Sequence, residues 1–314
     1  MVGDQRYPQA ADVQAQEFVS ALHAGGRVTR LGVGAHAGSM EFVQHLPPPP
    51  LAAFVTAACG YRVPAYPSGL HRGLPSSSMT LVIELGGRLR TTGLSTEISS
   101  QAVVCGLHTR PALIDARAPM DGVQYALTPL GSRALLGVPA GELHDRPVEL
   151  AEVLGSAAVD VVDRLHEART WDERFAVLDR ALATHLEDSV APVPSEVLET
   201  WRLVMTGQGR LPVSAIAAQV GWSRRHLAER FRWATGLTPK QLSRVARFEA
   251  ARALLTDPTG PSLARTAALT GYADQSHLDR EWRALAGCSP TTWMREELPF
   301  VQDDSPSSAA DSGA

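Results

Sequence analysis

Ile216-Ala217-Ala218-Gln219-Val220-Gly221-Trp222-Ser223, followed by His226-Leu227, Phe231, Gly236 and Pro239, is written a second time about fifty residues later. The second version reads Thr266-Ala267-Ala268-Leu269-Thr270-Gly271-Tyr272-Ala273, followed by His277-Leu278, Trp282, Gly287 and Pro290. Each copy is a short apolar-patterned helix, a Gly-aromatic turn and a longer amphipathic helix ending at a glycine. That is the pattern of a helix-turn-helix, and two such units in one domain point to duplex DNA as the partner. Gly221 and Gly271 fall where the chain must turn sharply, which suits a residue tolerant of positive φ. Ser223 and Asp274 are placed to cap the two second helices. The second copy has one residue more between Gly271 and Leu278 than the first has between Gly221 and Leu227. Its second helix is therefore expected to begin from a different turn.

Outward from the repeat, helical periodicity predicts an all-helical module: 195–206, 213–220, 223–235, a long connecting helix 238–255, then 262–269, 274–285 and 290–297. Ile216, Val220, Leu227 and Phe231 pack the first pair, and Ala267, Leu278 and Trp282 the second. Away from those faces lie Arg224, Arg225, Glu229 and Arg232 in the first reading helix, and Gln275, Ser276, His277 and Arg280 in the second. Arginine pairs bidentately with guanine, glutamine with adenine, and glutamate accepts from cytosine; one such pair is worth roughly ten-fold or more in base preference. Most protein–DNA hydrogen bonds nevertheless go to phosphate and sugar, and an exposed arginine on a helix is usually just solvated, so the conjunction carries the reading and no single residue does. His226 and His277 read as packing or capping groups before metal ligands. Arg244, Arg247 and Arg252 read as structural ion-pair donors on the connecting helix. Asp274, Asp279 and Glu281 make the second reading helix less basic, so it is expected to take the weaker half of a site.

The formal charge of −4 is unusual for a DNA binder until it is divided. Residues 195–298 hold fourteen basic and ten acidic side chains, net +4, while the remainder holds fifteen and twenty-three, net −8. A mildly basic module joined to an acidic partner domain suits a DNA reader carried by a domain with another task.

Residues 1–39 lack sustained periodicity apart from a short helical pattern near 13–23, and are expected to be a disordered extension. Met40 opens a more structured run and is a candidate translation start. Pro47 to Pro50 read as a stiff polyproline spacer. Residues 79–85, 101–107 and 122–127 read as strands, 51–59 fits strand or helix, and 130–136, 156–168 and 171–187 read as helices. Ala191-Pro192-Val193-Pro194 reads as a hinge, with Ser195 as the N-cap of the next helix. The expected organisation is α+β: an extension 1–39, a sensor or dimerisation domain 40–190, a DNA-binding domain 195–298 and a disordered tail 299–314. No run of about 18 apolar residues or N-terminal signal pattern is present, so a cytoplasmic, nucleoid-associated location without membrane contact is expected. Cys59, Cys105 and Cys288 are far apart and odd in number, and read as small buried hydrophobes without a disulfide or metal role.

At the repeat the chain resembles the AraC/XylS-type family of bacterial transcriptional regulators. The matching text is 216–223 with His226-Leu227, Phe231 and 235–239, then 267–278 with Gly287-Cys288-Ser289-Pro290. The resemblance covers about 195–298, roughly a third of the chain. It implies a domain of about seven helices whose two recognition helices enter successive major grooves, on the order of 34 Å apart on one face of DNA. It implies base contacts from Arg225, Ala228 and Glu229 in the first unit and Gln275, Ser276, His277 and Arg280 in the second. The chain departs from the family where Trp282 replaces a usual phenylalanine and Glu281 adds an acid. Residues 71–76, 106–108 and 127–131 with 135–139 resemble the companion domain of an actinobacterial subgroup. In the wider family such domains form a small β-barrel with helices that dimerise and sometimes bind an effector.

The resulting expectation is a sequence-specific transcriptional regulator, acting as a homodimer on double-stranded DNA, with a small-molecule effector and RNA polymerase as candidate further partners and no cofactor. His71, Arg72, Glu84, His108 and Tyr125 are the polar candidates to line an effector pocket; the alternative is that neighbouring backbone satisfies them as rim and turn residues. His71 and His108 stand alone, without the closely spaced histidines and carboxylate of a metal-bound cupin enzyme. Two rivals remain: a DNA-targeted enzyme such as an alkyl-transfer repair protein, which would need an activated cysteine, and an architectural binder without sequence preference.

Overall fold

The computed structural model describes residues 41–186, 193–257 and 259–297. The expected extension 1–39, Met40, the first two residues of the hinge and the tail 299–314 lie outside these residues. The strands among them are β1 (Glu41–His45), β2 (Val55–Val63), β3 (Leu70–Gly73), β4 (Met79–Glu84), β5 (Leu89–Thr92), β6 (Ile98–Ser100), β7 (Ala102–Cys105), β8 (Ala112–Asp115), β9 (Met120–Leu127) and β10 (Pro147–Glu149). They form a six-stranded sheet ordered β1-β2-β9-β4-β7-β10 and a four-stranded sheet ordered β3-β8-β5-β6. The barrel-like expectation thus takes the form of two sheets that no ladder closes into one cylinder.

The register explains why the sequence reads as strand here. Met79 pairs with Leu127, Leu81 with Tyr125 and Ile83 with Val123, and all six side chains are buried. Alternate residues of β4 and β9 therefore present one continuous apolar face. Strands β3, β5, β6, β8 and β10 run three or four residues, too short for a period of two to declare itself. The polyproline run folds into a turn instead of a spacer, with the carbonyls of Pro48 and Pro49 accepting from the amides of Leu51 and Ala52. The ambiguous segment 51–59 resolves into that turn and the start of β2.

The first half also carries α1 (Ser132–Leu136), α2 (Leu150–Leu154), α3 (Ser156–Glu167) and α4 (Trp171–His185), with tight 3-10 turns at Pro129–Gly131 and Ala140–Leu143. The expected helix 130–136 is split between the first of these turns and α1. Asp179 fastens α4 to the sheet: its Oδ1 accepts from the Tyr125 hydroxyl at 2.9 Å and its Oδ2 lies 2.7 Å from His45 Nε2. The His45 ring stacks on Phe175 at 4.3 Å.

The second half is helical: α5 (Ser195–Thr206), α6 (Val213–Gln219), α7 (Arg224–Thr235), α8 (Pro239–Thr256), α9 (Leu263–Thr270), α10 (Gln275–Ala286) and α11 (Pro290–Glu297). Pro194, not Ser195, occupies the N-cap position of α5 and offers no side-chain cap; the Ser195 hydroxyl bonds Glu196 instead. The apolar residues divide unequally. Val197, Val204, Ile216, Leu227, Phe231, Leu242 and Val245 belong to one cluster with the sheet core of the first half. Phe248, Ala251, Leu255, Ala267, Tyr272, Leu278, Trp282, Leu285 and Trp293 form a second, separate cluster. Helix α8 thus contributes its first half to one core and its second half to the other.

Trp282 is fully buried at the centre of that second cluster, 4.7 Å from Phe248 and 5.4 Å from Trp293 between ring centroids. Trp282→Ala is expected to cost about 3–5 kcal/mol of local stability. Hydrogen exchange should show protection lost in α9, α10 and α11 while α7 keeps its own; equal loss in α7 would contradict two separate cores.

Candidate nucleic-acid interface

The first unit is built by its turn and its caps. Gly221 has φ 74° between α6 and α7. The Ser223 hydroxyl accepts from the His226 amide at 3.2 Å, and Gly236 closes the helix at φ 88° with its amide bonded to the Arg232 carbonyl. Leu227, Phe231 and Ala234 face inward. Arg225, Glu229 and Arg232, four and seven positions apart, occupy the opposite stripe and are exposed. Arg224 is exposed beside them, and Ala228 is half-buried at the stripe's edge. Arg225 Nε donates to Glu229 Oε1 at 2.9 Å, with 90% and 60% of the two side chains exposed. That bond uses only Nε, so the two terminal nitrogens remain to approach an acceptor. His226 packs edge-on against Trp222 at 4.6 Å, a role in the turn.

The second unit repeats the design with a longer entry. Gly271 has φ 80° and caps α9, and three residues later Asp274 Oδ1 accepts from the His277 amide at 2.6 Å. In the first unit the cap follows the glycine by two residues, so the extra residue sits in the turn, as the spacing predicts. The His277 ring stands edge-on to Tyr272 at 5.3 Å and its Nδ1 accepts from the Ala273 amide at 3.3 Å. His277 is thus tied to the turn, while Gln275, Ser276 and Arg280 are exposed. Glu281 is not an outward acid: its carboxylate accepts from Arg244 on α8 at 2.7 and 3.3 Å. With Asp274 committed as a cap, two of the three acids expected to weaken this helix are engaged within the domain. Arg247 lies over the Tyr272 ring at 5.6 Å. Burial pushes the Arg252 guanidinium below its ordinary pKa, beside Glu249.

Sequence reasoning missed that the first half of the chain abuts the reading stripe. A Cβ on Gly141 would collide with the Trp233 carbonyl oxygen, so the 3-10 turn at Ala140–Leu143 lies directly against the end of α7. Trp233 is 55% exposed and carries the Arg133 guanidinium over its ring at 5.1 Å. Gly141, Glu142, Glu229, Arg232 and Trp233 line a cleft of about 430 Å³. A large apolar residue out of phase with the buried face of α7 was the one available signal.

The five residues proposed for an effector pocket do not converge. Glu84 is buried, accepting from the Tyr61 hydroxyl at 3.0 Å and from the amides of Asp121 and Gly86 at 2.8 and 3.1 Å; burial pushes its carboxyl up. His108 donates to the Arg110 carbonyl at 2.6 Å, and burial lowers its pKa. Tyr125 bonds Asp179 on α4. His71 and Arg72 point at the last turn of the chain's final described helix, where Glu297 accepts from both.

A helix-turn-helix domain family matches residues 216–296. A second family, described as a domain of unknown function (DUF6597), matches residues 43–149. No curated protein matches the chain. Among solved structures, ToxT from Vibrio cholerae O395 is similar at a TM-score of 0.47 and 12% identity, covering 78% of this chain and 97% of that one. A fatty-acid-bound ToxT from V. cholerae strain SCE256 is similar at 0.46 and 10%, covering 76% and 94%. The AraC-like transcriptional activator CuxR is similar at 0.31 and 16%, covering 68% and 83%. Likeness at this level bears on neither ligand nor mechanism.

Arg232 is exposed and lines the cleft near the end of α7. Arg232→Ala is expected to weaken binding to all DNA sequences alike and to shallow the slope of log K against log salt by about 0.9, one released counterion. A slope equal to that of the unsubstituted protein would remove Arg232 from the phosphate contacts.

Proposed function

We propose that the chain is a DNA-binding transcriptional regulator of the AraC type, a reading supported by the helix-turn-helix domain matched over residues 216–296, and that it reads a two-part site with α7 and α10. The observation that carries this is the repeated arrangement of a capped helix behind a positive-φ glycine, with one face buried and a polar stripe outward. In α7 the readers are Arg224, Arg225, Glu229 and Arg232, with Ala228 close enough for an apolar contact; in α10 they are Gln275, Ser276 and Arg280. His277 orders the start of α10 through Tyr272 and the turn. The first half of the chain serves dimerisation or effector sensing, with RNA polymerase as a further partner at the promoter, in the cytoplasm at the nucleoid. Glu84, His108 and Tyr125 are spent on internal bonds, which argues against them as effector ligands.

A cysteine-based repair enzyme is disfavoured by the state of the thiols. Burial pushes Cys59 and Cys105 up to about 12, the opposite of an activated nucleophile. Among the described residues no helix is long and apolar enough to cross a membrane.

Selection from random duplexes is expected to return a two-part site bound roughly 10³-fold or more tightly than random DNA. Failure to enrich any sequence would favour the architectural reading. Arg225→Ala should relax base preference in one half of that site and leave the other half intact; an unchanged preference at every position would reject its role.

A further inference from the structure

Residues 71–78 span the end of β3 and its connection to β4, and the reading of DNA by two helices leaves them without a task. The structure shows what they touch. The amide of Arg72 donates to Glu297 Oε1 at 3.1 Å, and His71 Nδ1 donates to Glu297 Oε2 at 2.9 Å. The Arg72 guanidinium reaches Glu296 at 2.8 Å and Glu297 at 3.4 Å. Five residues on, the amide and hydroxyl of Ser77 both donate to Glu249 Oε1, at 3.0 and 3.2 Å. Between these anchors Leu74 packs against the cluster around Trp282. Glu297 ends α11 and Glu249 lies on α8, so one short segment grips the two helices that flank the second helix-turn-helix unit.

The two reading units are thus attached to the first half of the chain by different means. Helix α7 shares an apolar core with it. Helix α10 belongs to a separate core, which α8 joins to α7, with Arg210 close against Gly271 and Pro111 of the first half close against Gly287 at the end of α10. A unit held along one helix can tilt at its far side; a second attachment there defines its orientation. Glu297 supplies the polar part of it, with only 7% of its side chain exposed and a main-chain donor, the Arg72 amide, that cannot swing away.

We propose that residues 71–78, through Glu297 and Glu249, are positioning residues that set the distance and angle between α10 and α7, and so fix the spacing of half-sites the protein accepts. This rests on the two-helix reading above. The first half of the chain then acts as a ruler for the reader as well as a sensor.

The test uses the full chain and a selected two-part duplex, with one or two base pairs inserted between the halves. The unsubstituted protein should lose about ten-fold in affinity per inserted pair, the cost of a displaced base contact. Glu249→Ala/Glu297→Ala should flatten that loss to under about three-fold while the footprint over the α7 half-site persists. His71→Ala/Arg72→Ala, made on the other side of the contact, should do the same and covers the case in which the first variant does not fold. Retention of the full spacing penalty in a folded variant overturns the proposal. An unsubstituted protein that fails to prefer the selected duplex over random DNA instead overturns the two-helix reading itself.

Discussion

Phe231 and Leu227 on the first reading helix are buried in the same apolar cluster as Leu135, Leu136 and Leu143 of the sheet-bearing half. Close packing of that kind has few voids and transmits displacement, so α7 cannot shift without disturbing the turn at Ala140–Leu143 and the sheet behind it. The absence of a side chain at Gly141 lets the two backbones meet. A proline-bearing linker in the sequence invites the picture of two domains on a flexible tether. The shared core makes the first reading unit an extension of the sheet domain instead.

The second unit obeys a different physics. Its core is gathered around Trp282, and its attachment to the first half combines ionic and main-chain hydrogen bonds with apolar contacts from Leu74 and from Pro111 against Gly287. Buried carboxylates such as Glu249, whose pKa burial pushes upward, add little net stability because desolvation offsets attraction. What they add is geometry: a carboxylate that must find its amide donors accepts few alternative dockings. One reader is thus attached through a shared apolar core and the other mainly through polar bonds.

The outward surface of α7 is poised in a similar way. The Arg225–Glu229 pair is almost wholly exposed, and exposed ion pairs contribute little to stability, so opening it for a base or phosphate costs little. Until then it holds the guanidinium along the helix. In α10 the comparable acid, Glu281, is drawn inward by Arg244, which leaves Gln275, Ser276 and Arg280 as the polar face. The overall acidity of the chain therefore says little about the field that DNA would meet.

Legibility tracked the length of each pattern. The helices of the second half, the caps at Ser223 and Asp274, the extra residue in the second turn and the inward and outward faces of α7 were all readable, because each depends on neighbours a turn or less away. The long strands β4 and β9 were readable for the same reason. Strands β3, β5, β6, β8 and β10, the turn at Pro47 to Pro50 and the inward pairing of Glu281 were not. Amino-acid order by itself determined a duplicated helical reader behind a β-rich domain. Only the tertiary structure decided that His71 and Arg72 bond Glu297 at the end of α11, because the carboxylates that claim the 71–78 segment lie 172 to 226 positions away and no local periodicity records a contact across that distance.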